Sequence, residues 1–117
     1  MHSSSDVFKQ LADETRLRLL HLLLKEHDLC VCELTRALKL SQPKISRHLA
    51  SLRGAGLIMD TRRGTWIFYR LHPELPAWVR AILEQTFSTL GKTTPFVHDL
   101  KRLRPHPDRP LVQCETA

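Results

Sequence analysis

The stretch that decides the fold is residues 29–49, LCVCELTRALKLSQPKISRHL. Apolar side chains recur every three or four positions within residues 31–38 and again within residues 45–52, which predicts two helices. Ser41 is a good N-cap for the second, and Pro43 is tolerated there because first-turn amides lack helical partners anyway. A short helix, a tight turn and a second helix with a polar outer face form a helix-turn-helix, whose second helix enters the major groove of DNA.

Two further helices precede this motif. The first is predicted over residues 7–12, and the second over residues 14–25 with Asp13 as its cap. Leucines cover so much of the second helix that we expect it to lie at the centre of the core. Asp28 is the predicted cap of the third helix, residues 31–38.

Downstream of the motif, the hydrophobic period changes from that of a helix to that of a strand. Residues 57–62 and 65–71 are predicted to form two strands that turn around Arg63 and Gly64. A last helix is predicted over residues 77–90. The predicted fold class is therefore mainly α with a small β-hairpin, a winged helix-turn-helix in the order α-α-α-α-β-β-α.

This pattern divides the chain into a domain and a tail. Residues 1–90 form the predicted winged helix-turn-helix domain for DNA binding and dimerisation. Its last helix has an apolar face wide enough both to close the core and to contact a second copy. Residues 91–117 form a proline-containing C-terminal tail, which we expect to be partly flexible, with one short helix at 96–103.

Positive charge is concentrated around the predicted reading helix. The formal net charge of the chain is +6, and residues 41–70 carry six basic side chains against Asp60 alone. This distribution is typical of a polyanion-binding surface. RNA is the weaker alternative to DNA, because no aromatic stacking platform is interleaved with the basic residues.

Candidate DNA-binding side chains lie on the second helix of the motif and on the hairpin. Amide and guanidinium groups can make bidentate contacts with base edges, and a hydroxyl can contact base or phosphate. Lys44, Arg47 and Ser51 are predicted to point outward, and the hairpin arginines are expected to contact phosphate or a minor groove. The full candidate set is Gln42, Lys44, Ser46, Arg47, Ser51, Arg62 and Arg63.

Two thiols, Cys30 and Cys32, lie just upstream and one residue apart. They are too close for a CxxC zinc knuckle, and residues i and i+2 of a regular helix do not face each other. One ion can hold both sulfurs only where the backbone is not helical, as at the start of the third helix. Soft thiolates select thiophilic ions, and the helix dipole is expected to lower the thiol pKa. A third ligand stays open, since Thr35 offers only a hydroxyl and Cys114 lies on the tail.

The composition also excludes several classes of protein. No apolar run approaches the roughly 18 residues needed to span a bilayer, and the N-terminus lacks the features of a signal peptide. An odd number of cysteines, three, argues against a disulfide framework. Since no phosphate loop, nucleophile motif or acid/base cluster is visible, we expect no enzyme, but a cytoplasmic protein with reduced thiols and no membrane contact.

Several short segments resemble the ArsR/SmtB family of winged-helix metalloregulators, and within it the arsenical-resistance repressors. The resemblance covers residues 7–90 and leaves the tail outside it. The segments are LADETRL at residues 11–17, LCVCEL at 29–34, SQPKISRHL at 41–49, GTW at 64–66 and YRL at 69–71.

The resemblance implies a homodimer built on the first and last helices, which binds an inverted-repeat operator in double-stranded DNA and represses an arsenic-resistance operon. It also implies that As(III) or Sb(III) binds Cys30 and Cys32 as inducer and releases the DNA. Arsenical repressors often show a third cysteine where this chain has Thr35, so three-sulfur coordination would need Cys114. Thiol redox sensing and the sensing of cadmium, lead or zinc by the same fold stay open as alternatives.

Overall fold

The structure, a computed structural model, describes residues 3–103 and forms a winged helix-turn-helix, as predicted. Relative to the predicted order, it contains an additional short strand before the third helix and an additional helix at the end. The elements in chain order are α1 (Ser4–Leu11), α2 (Glu14–Lys25), β1 (Leu29–Cys30), α3 (Val31–Leu38), α4 (Gln42–Gly54), β2 (Ile58–Arg63), β3 (Trp66–Leu71), α5 (Ala77–Leu90) and α6 (Phe96–Leu103).

Helix α2 lies at the centre of the core, which confirms the expectation from its leucines. It packs against α1, α4, α5, α6 and β3. Leu19 and Leu23 are among four leucines of this helix that are fully buried, and burying one leucine contributes about 1.5–3 kcal/mol. The helix begins where predicted, because the Asp13 carboxylate accepts a hydrogen bond from the Arg16 amide at 3.0 Å.

The helix-turn-helix consists of α3 and α4. Lys39 ends α3 with a left-handed backbone (φ 58°), which reverses the chain within a few residues. The Ser41 hydroxyl then accepts a hydrogen bond from the Lys44 amide at 3.4 Å and starts α4. The apolar face of α4 is buried at Ile45, Leu49 and Leu52, as the helical spacing predicts.

The wing is part of an antiparallel three-stranded sheet with the strand order β1-β3-β2. Strands β2 and β3 pair from Ile58 with Leu71 to Arg63 with Trp66. The turn between them therefore falls at Gly64 and Thr65, one residue later than predicted. Gly64 has a positive φ of 65°, the left-handed conformation that glycine adopts without steric cost.

The final helices, α5 and α6, both pack on α2. Helix α5 buries Val79, Leu83 and Phe87. Helix α6 covers the residues of the short helix expected in the tail, and it packs on α2 and α3 with Phe96 and Leu103 buried. The packed unit of the described chain thus extends past residue 90, the predicted domain boundary. Within residues 3–103, no helix is both long and apolar enough to span a bilayer.

A buried ion cluster fastens α6 to the rest of the fold. The fully buried Asp99 carboxylate accepts two hydrogen bonds from Arg18, both at 2.8 Å, and one from Arg102 at 2.9 Å. The two arginines also donate to carbonyls at the end of α3, Arg18 to Leu38 at 2.9 Å and Arg102 to Ala37 at 2.6 Å. These two hydrogen bonds supply donors to carbonyls of the last turn of α3, which have no partner within the helix.

Candidate nucleic-acid interface and thiol site

The outer face of α4 presents most of the predicted base-reading side chains. Gln42, Ser46 and Arg47 are exposed, and Lys44 is half-buried beside them. Ser51 differs from the prediction, because its hydroxyl donates a hydrogen bond to Gln10 Oε1 of α1 at 3.0 Å instead of pointing outward. The outer face that remains carries an amide, a hydroxyl and two cationic groups, the chemistry that DNA base edges and phosphates accept.

The wing places both predicted arginines, Arg62 and Arg63, in exposed positions at the end of β2. Arg63 has intramolecular contacts that the sequence did not reveal. It donates a hydrogen bond to the Asp28 carboxylate at 3.0 Å, and its guanidinium carbon lies 4.8 Å from the centre of the Phe68 ring. Arg63 is therefore held against the fold, whereas Arg62 adjoins it on the wing.

A polar cluster on the inner side of α4 connects the reading helix to α1 and α2, and sequence reasoning missed it. His48 Nδ1 lies 3.8 Å from the Asp13 carboxylate and 3.4 Å from the Arg16 guanidinium. Arg16 also donates to the carbonyls of Gln10 at 2.9 Å and Lys9 at 3.2 Å, which end α1. Burial, assisted by the charge of Arg16, lowers the pKa of His48, although Asp13 opposes this shift.

Cys30 and Cys32 lie at the junction between β1 and α3, and their Sγ atoms are 3.2 Å apart. Cys30 has an extended backbone (φ −89°, ψ 165°) and is the N-cap of α3. This confirms that the two sulfurs meet only because the chain is not yet helical at the first of them. It also corrects the predicted cap: Asp28 lies two residues further upstream, with a left-handed backbone (φ 58°).

The two sulfurs occupy an apolar environment against the wing. Cys30 is a free thiol, whereas Cys32 is disulfide-bonded, which differs from the expectation of reduced thiols. Cys30 is fully buried and forms a cluster with Phe68, against which Cys32 and Trp66 pack. Burial raises the pKa of the Cys30 thiol, and the neighbouring charge of Glu33 adds to the effect. The expectation that the helix dipole would lower this pKa is therefore wrong for Cys30, because loss of solvent outweighs the dipole.

Glu33 is a residue of the site that the sequence analysis overlooked. Its side chain is fully buried, and Oε1 accepts a hydrogen bond from the Cys30 amide at 3.0 Å. The signal was present, because a glutamate three positions after an N-cap is the second half of a capping box. It was missed because the first half is a cysteine here rather than serine or threonine.

The separation of the two sulfurs suits one thiophilic ion in the reduced protein. Two bonds of about 2.3 Å, the length of a zinc–thiolate bond, would span the 3.2 Å separation at an angle of about 90°, narrower than the tetrahedral angle that zinc prefers. A narrow angle suits trivalent arsenic and antimony, whose lone pair makes their complexes pyramidal. Within residues 3–103 no cluster of three or more His, Cys, Asp or Glu side chains that could hold a metal is found.

Thr35, the described candidate for a third donor, does not face this pair. The Thr35 hydroxyl donates to the Val31 carbonyl at 2.7 Å, so it faces its own helix. Cys114 lies outside the described residues. Within residues 3–103, the structure thus brings together Cys30 and Cys32.

Curated relatives agree with these features. The chain is 48% identical over 118 residues to the arsenic resistance transcriptional regulator ArsR2 of Pseudomonas putida, a match that covers 97% of this chain and 100% of the relative. It is 65% identical over 78 residues to ArsR1 of the same organism, where the match covers 67% of this chain and 61% of that longer protein.

Solved structures share the fold. HlyU from Vibrio cholerae superimposes with a TM-score of 0.66 at 35% identity, covering 73% of this chain and 88% of that one. The AntR antimony-specific transcriptional repressor superimposes with a TM-score of 0.62 at 32% identity, covering 74% of this chain and 75% of that one.

The fold and its exposed basic reading helix define a winged-helix DNA-binding regulator of transcription rather than an enzyme. The family profile described as bacterial regulatory protein, arsR family, matches residues 13–60. The chain belongs to the ArsR family, and within it to the arsenical-resistance transcriptional repressors.

Proposed function

We propose that the chain is a homodimeric, cytoplasmic repressor that binds operator DNA and releases it when As(III) or Sb(III) binds the thiolates of Cys30 and Cys32. The observation that carries the proposal is the 3.2 Å separation of two sulfurs at the start of the helix-turn-helix. Relatives named for arsenic resistance and a structural neighbour named for antimony support this choice of ion.

Operator binding is assigned to the exposed face of α4 and to the wing. Gln42, Ser46 and Arg47 have the donors and acceptors for base edges, and Lys44 has a charge for phosphate. Arg62 extends this basic surface onto the wing, where a phosphate backbone or a minor groove would lie. The expected salt dependence of such binding is steep, because each neutralised phosphate releases counterions.

Dimerisation is assigned to α1 and α5. Both helices carry a large exposed aromatic side chain, Phe8 at 51% and Trp78 at 40% exposure. A second copy would cover these side chains, and a dimer that reads successive major grooves on one side of the duplex needs its two α4 helices about 34–36 Å apart. An inverted-repeat operator is the DNA partner that matches this symmetry.

Release would follow from distortion of the junction between β1 and α3. In the reduced protein, the sulfurs of Cys30 and Cys32 replace two hydroxides of As(OH)3, and the two thiol protons leave with those hydroxides as water. Ligation also fixes the Sγ–Sγ separation. Because α3 packs on α4, a shift of the start of α3 moves α4. The distance and angle between the two α4 helices of the dimer then change. A change from 99% bound to 99% free requires about 5.5 kcal/mol of differential affinity.

Cys114 is proposed as the third sulfur ligand. Arg102, next to the last described residue, is anchored at 2.6 Å to the Ala37 carbonyl of α3. The eleven residues from there to the thiol can extend over roughly 35 Å, whereas α3, with eight residues, is only about 12 Å long. The chain is thus long enough to reach the thiol pair.

The test is fluorescence anisotropy of labelled operator DNA, titrated with arsenite in the presence of a reductant. Wild type should release the DNA, and Cys30→Ser and Cys32→Ser should bind DNA but fail to release it. Cys114→Ser should respond more weakly if three sulfurs are used and normally if two suffice. Release by peroxide and its reversal by dithiothreitol, without a response to arsenite, would favour redox sensing instead.

A further inference from the structure

The thiol pair is attached to the wing as directly as to α3. Cys30 ends β1, which pairs with β3 so that Cys30 lies opposite Phe68. The same two residues form a buried cluster, separate from the main core, against which Cys32 and Trp66 pack. An ion that draws the two sulfurs together therefore acts on the wing sheet as well as on the helix.

Arg63 contacts both sides of this strand pairing, Phe68 on β3 and Asp28 just before β1. Its guanidinium lies over the Phe68 ring at 4.8 Å and donates to the Asp28 carboxylate at 3.0 Å. Asp28 lies two residues before Cys30, on the same short segment that leads into β1. A movement of Cys30 thus displaces either the carboxylate or the ring, and both position a cation at the tip of the wing.

We propose that Asp28, Phe68 and Arg63 are positioning residues that couple the thiol pair to the wing, so that inducer binding shifts the wing arginines as well as α3. This inference rests on the proposed function and specifies how the same site regulates DNA binding. In this arrangement Arg63 chiefly makes contacts within the protein, to Asp28 and Phe68. Arg62 is then the wing arginine that is available to contact a DNA phosphate.

Asp28→Asn is the variant that tests the connection. Asparagine has the same shape and tolerates the left-handed backbone at this position, so only the charge is removed. Asp60→Asn is the matched control, because it removes one carboxylate from a comparable exposed ion pair between α4 and β2, Arg53–Asp60 at 3.1 Å. Both variants change the net charge equally, so any general electrostatic effect on DNA binding is shared.

Two quantities should be measured for each variant. The first is arsenite affinity, followed by intrinsic fluorescence, with Trp66→Phe used to assign the signal to the tryptophan that packs on the thiol cluster. The second is the ratio of operator affinities without and with saturating arsenite. Since exposed ion pairs are weak, we expect Asp28→Asn to reduce this ratio about threefold while arsenite affinity changes less. Asp60→Asn should leave the ratio as in wild type.

Phe68→Leu provides the second variant, because it removes the ring beneath Arg63 but keeps an apolar side chain against Cys30. It should also lower the ratio. If both Asp28→Asn and Phe68→Leu release DNA with the same ratio as Asp60→Asn, the coupling is refuted. Failure of the proposed function itself would be distinguishable, since Cys30→Ser and Cys32→Ser would then still show the arsenite-dependent fluorescence change.

Discussion

Asp99→Asn should destabilise the fold strongly, although it lies far from both the DNA-binding face and the thiols. The carboxylate is fully buried and accepts three charge-assisted hydrogen bonds, from Arg18 and Arg102. The hydrogen bond to Asp99 raises the pKa of Arg18. Without Asp99 the guanidinium still stays charged, because arginine is not deprotonated in proteins. The substitution therefore leaves a cation, with a side chain only 12% exposed, without its ion-pair partner.

The magnitude follows from this burial. Removing one member of a buried ion pair typically costs about 3–5 kcal/mol. The lower end applies here, about 3 kcal/mol, because Arg102 is 30% exposed and both arginines keep a carbonyl acceptor on α3. Helix α6 should also loosen on α3, since the cluster is the polar link between them.

Urea unfolding followed by circular dichroism measures this free energy, at one fixed protein concentration because dimerisation contributes to stability. Glu84→Gln is the control, since it removes an exposed i,i+4 pair with Arg80 at 3.6 Å and should cost less than about 0.5 kcal/mol. An Asp99→Asn variant within about 1 kcal/mol of wild type would refute the assignment of the cluster as a principal tertiary contact.

Three further predictions concern α4 and the thiol site. The pKa of His48 is lowered in the folded state, so the unfolded chain binds a proton more readily and the free energy of unfolding falls as the pH drops below about 6.5. His48→Gln should lessen this fall, measured as urea midpoints at several pH values. Lys44→Ala should reduce the slope of log operator affinity against log salt by about one, whereas an unchanged slope would remove this side chain from the phosphate contacts. Thr35→Cys introduces a thiol one turn after Cys32, so it should strengthen arsenite-dependent release in a Cys114→Ser protein that responds weakly. No gain there in the anisotropy assay would show that a sulfur at this position cannot reach the ion.

Local patterns predicted the elements whose contacts are local. The bounds of α2 and α3 follow from apolar spacing, and for α2 also from the Asp13 cap, and the structure has them as predicted. The meeting of Cys30 and Cys32 was also predictable, because it depends on the backbone of three consecutive residues.

Contacts between distant residues could not be predicted in this way. Strand β1 has only two residues, too few for an alternating pattern, and it exists because β3 pairs with it. Arg18 and Asp99 are 81 positions apart, and neither has a sequence context that marks it as buried. The sign of the Cys30 pKa shift depended on how completely the wing covers the thiol, which the helix-dipole argument ignored.

The central claim is that Cys30 and Cys32 bind the inducer, and X-ray absorption at the arsenic edge of the arsenite-loaded protein tests it most directly. The account predicts a first shell with at least two sulfur atoms in wild type, and loss of that sulfur shell in the Cys30→Ser, Cys32→Ser double variant. A wild-type shell of oxygen alone, or a sulfur shell unchanged in the double variant, would contradict it.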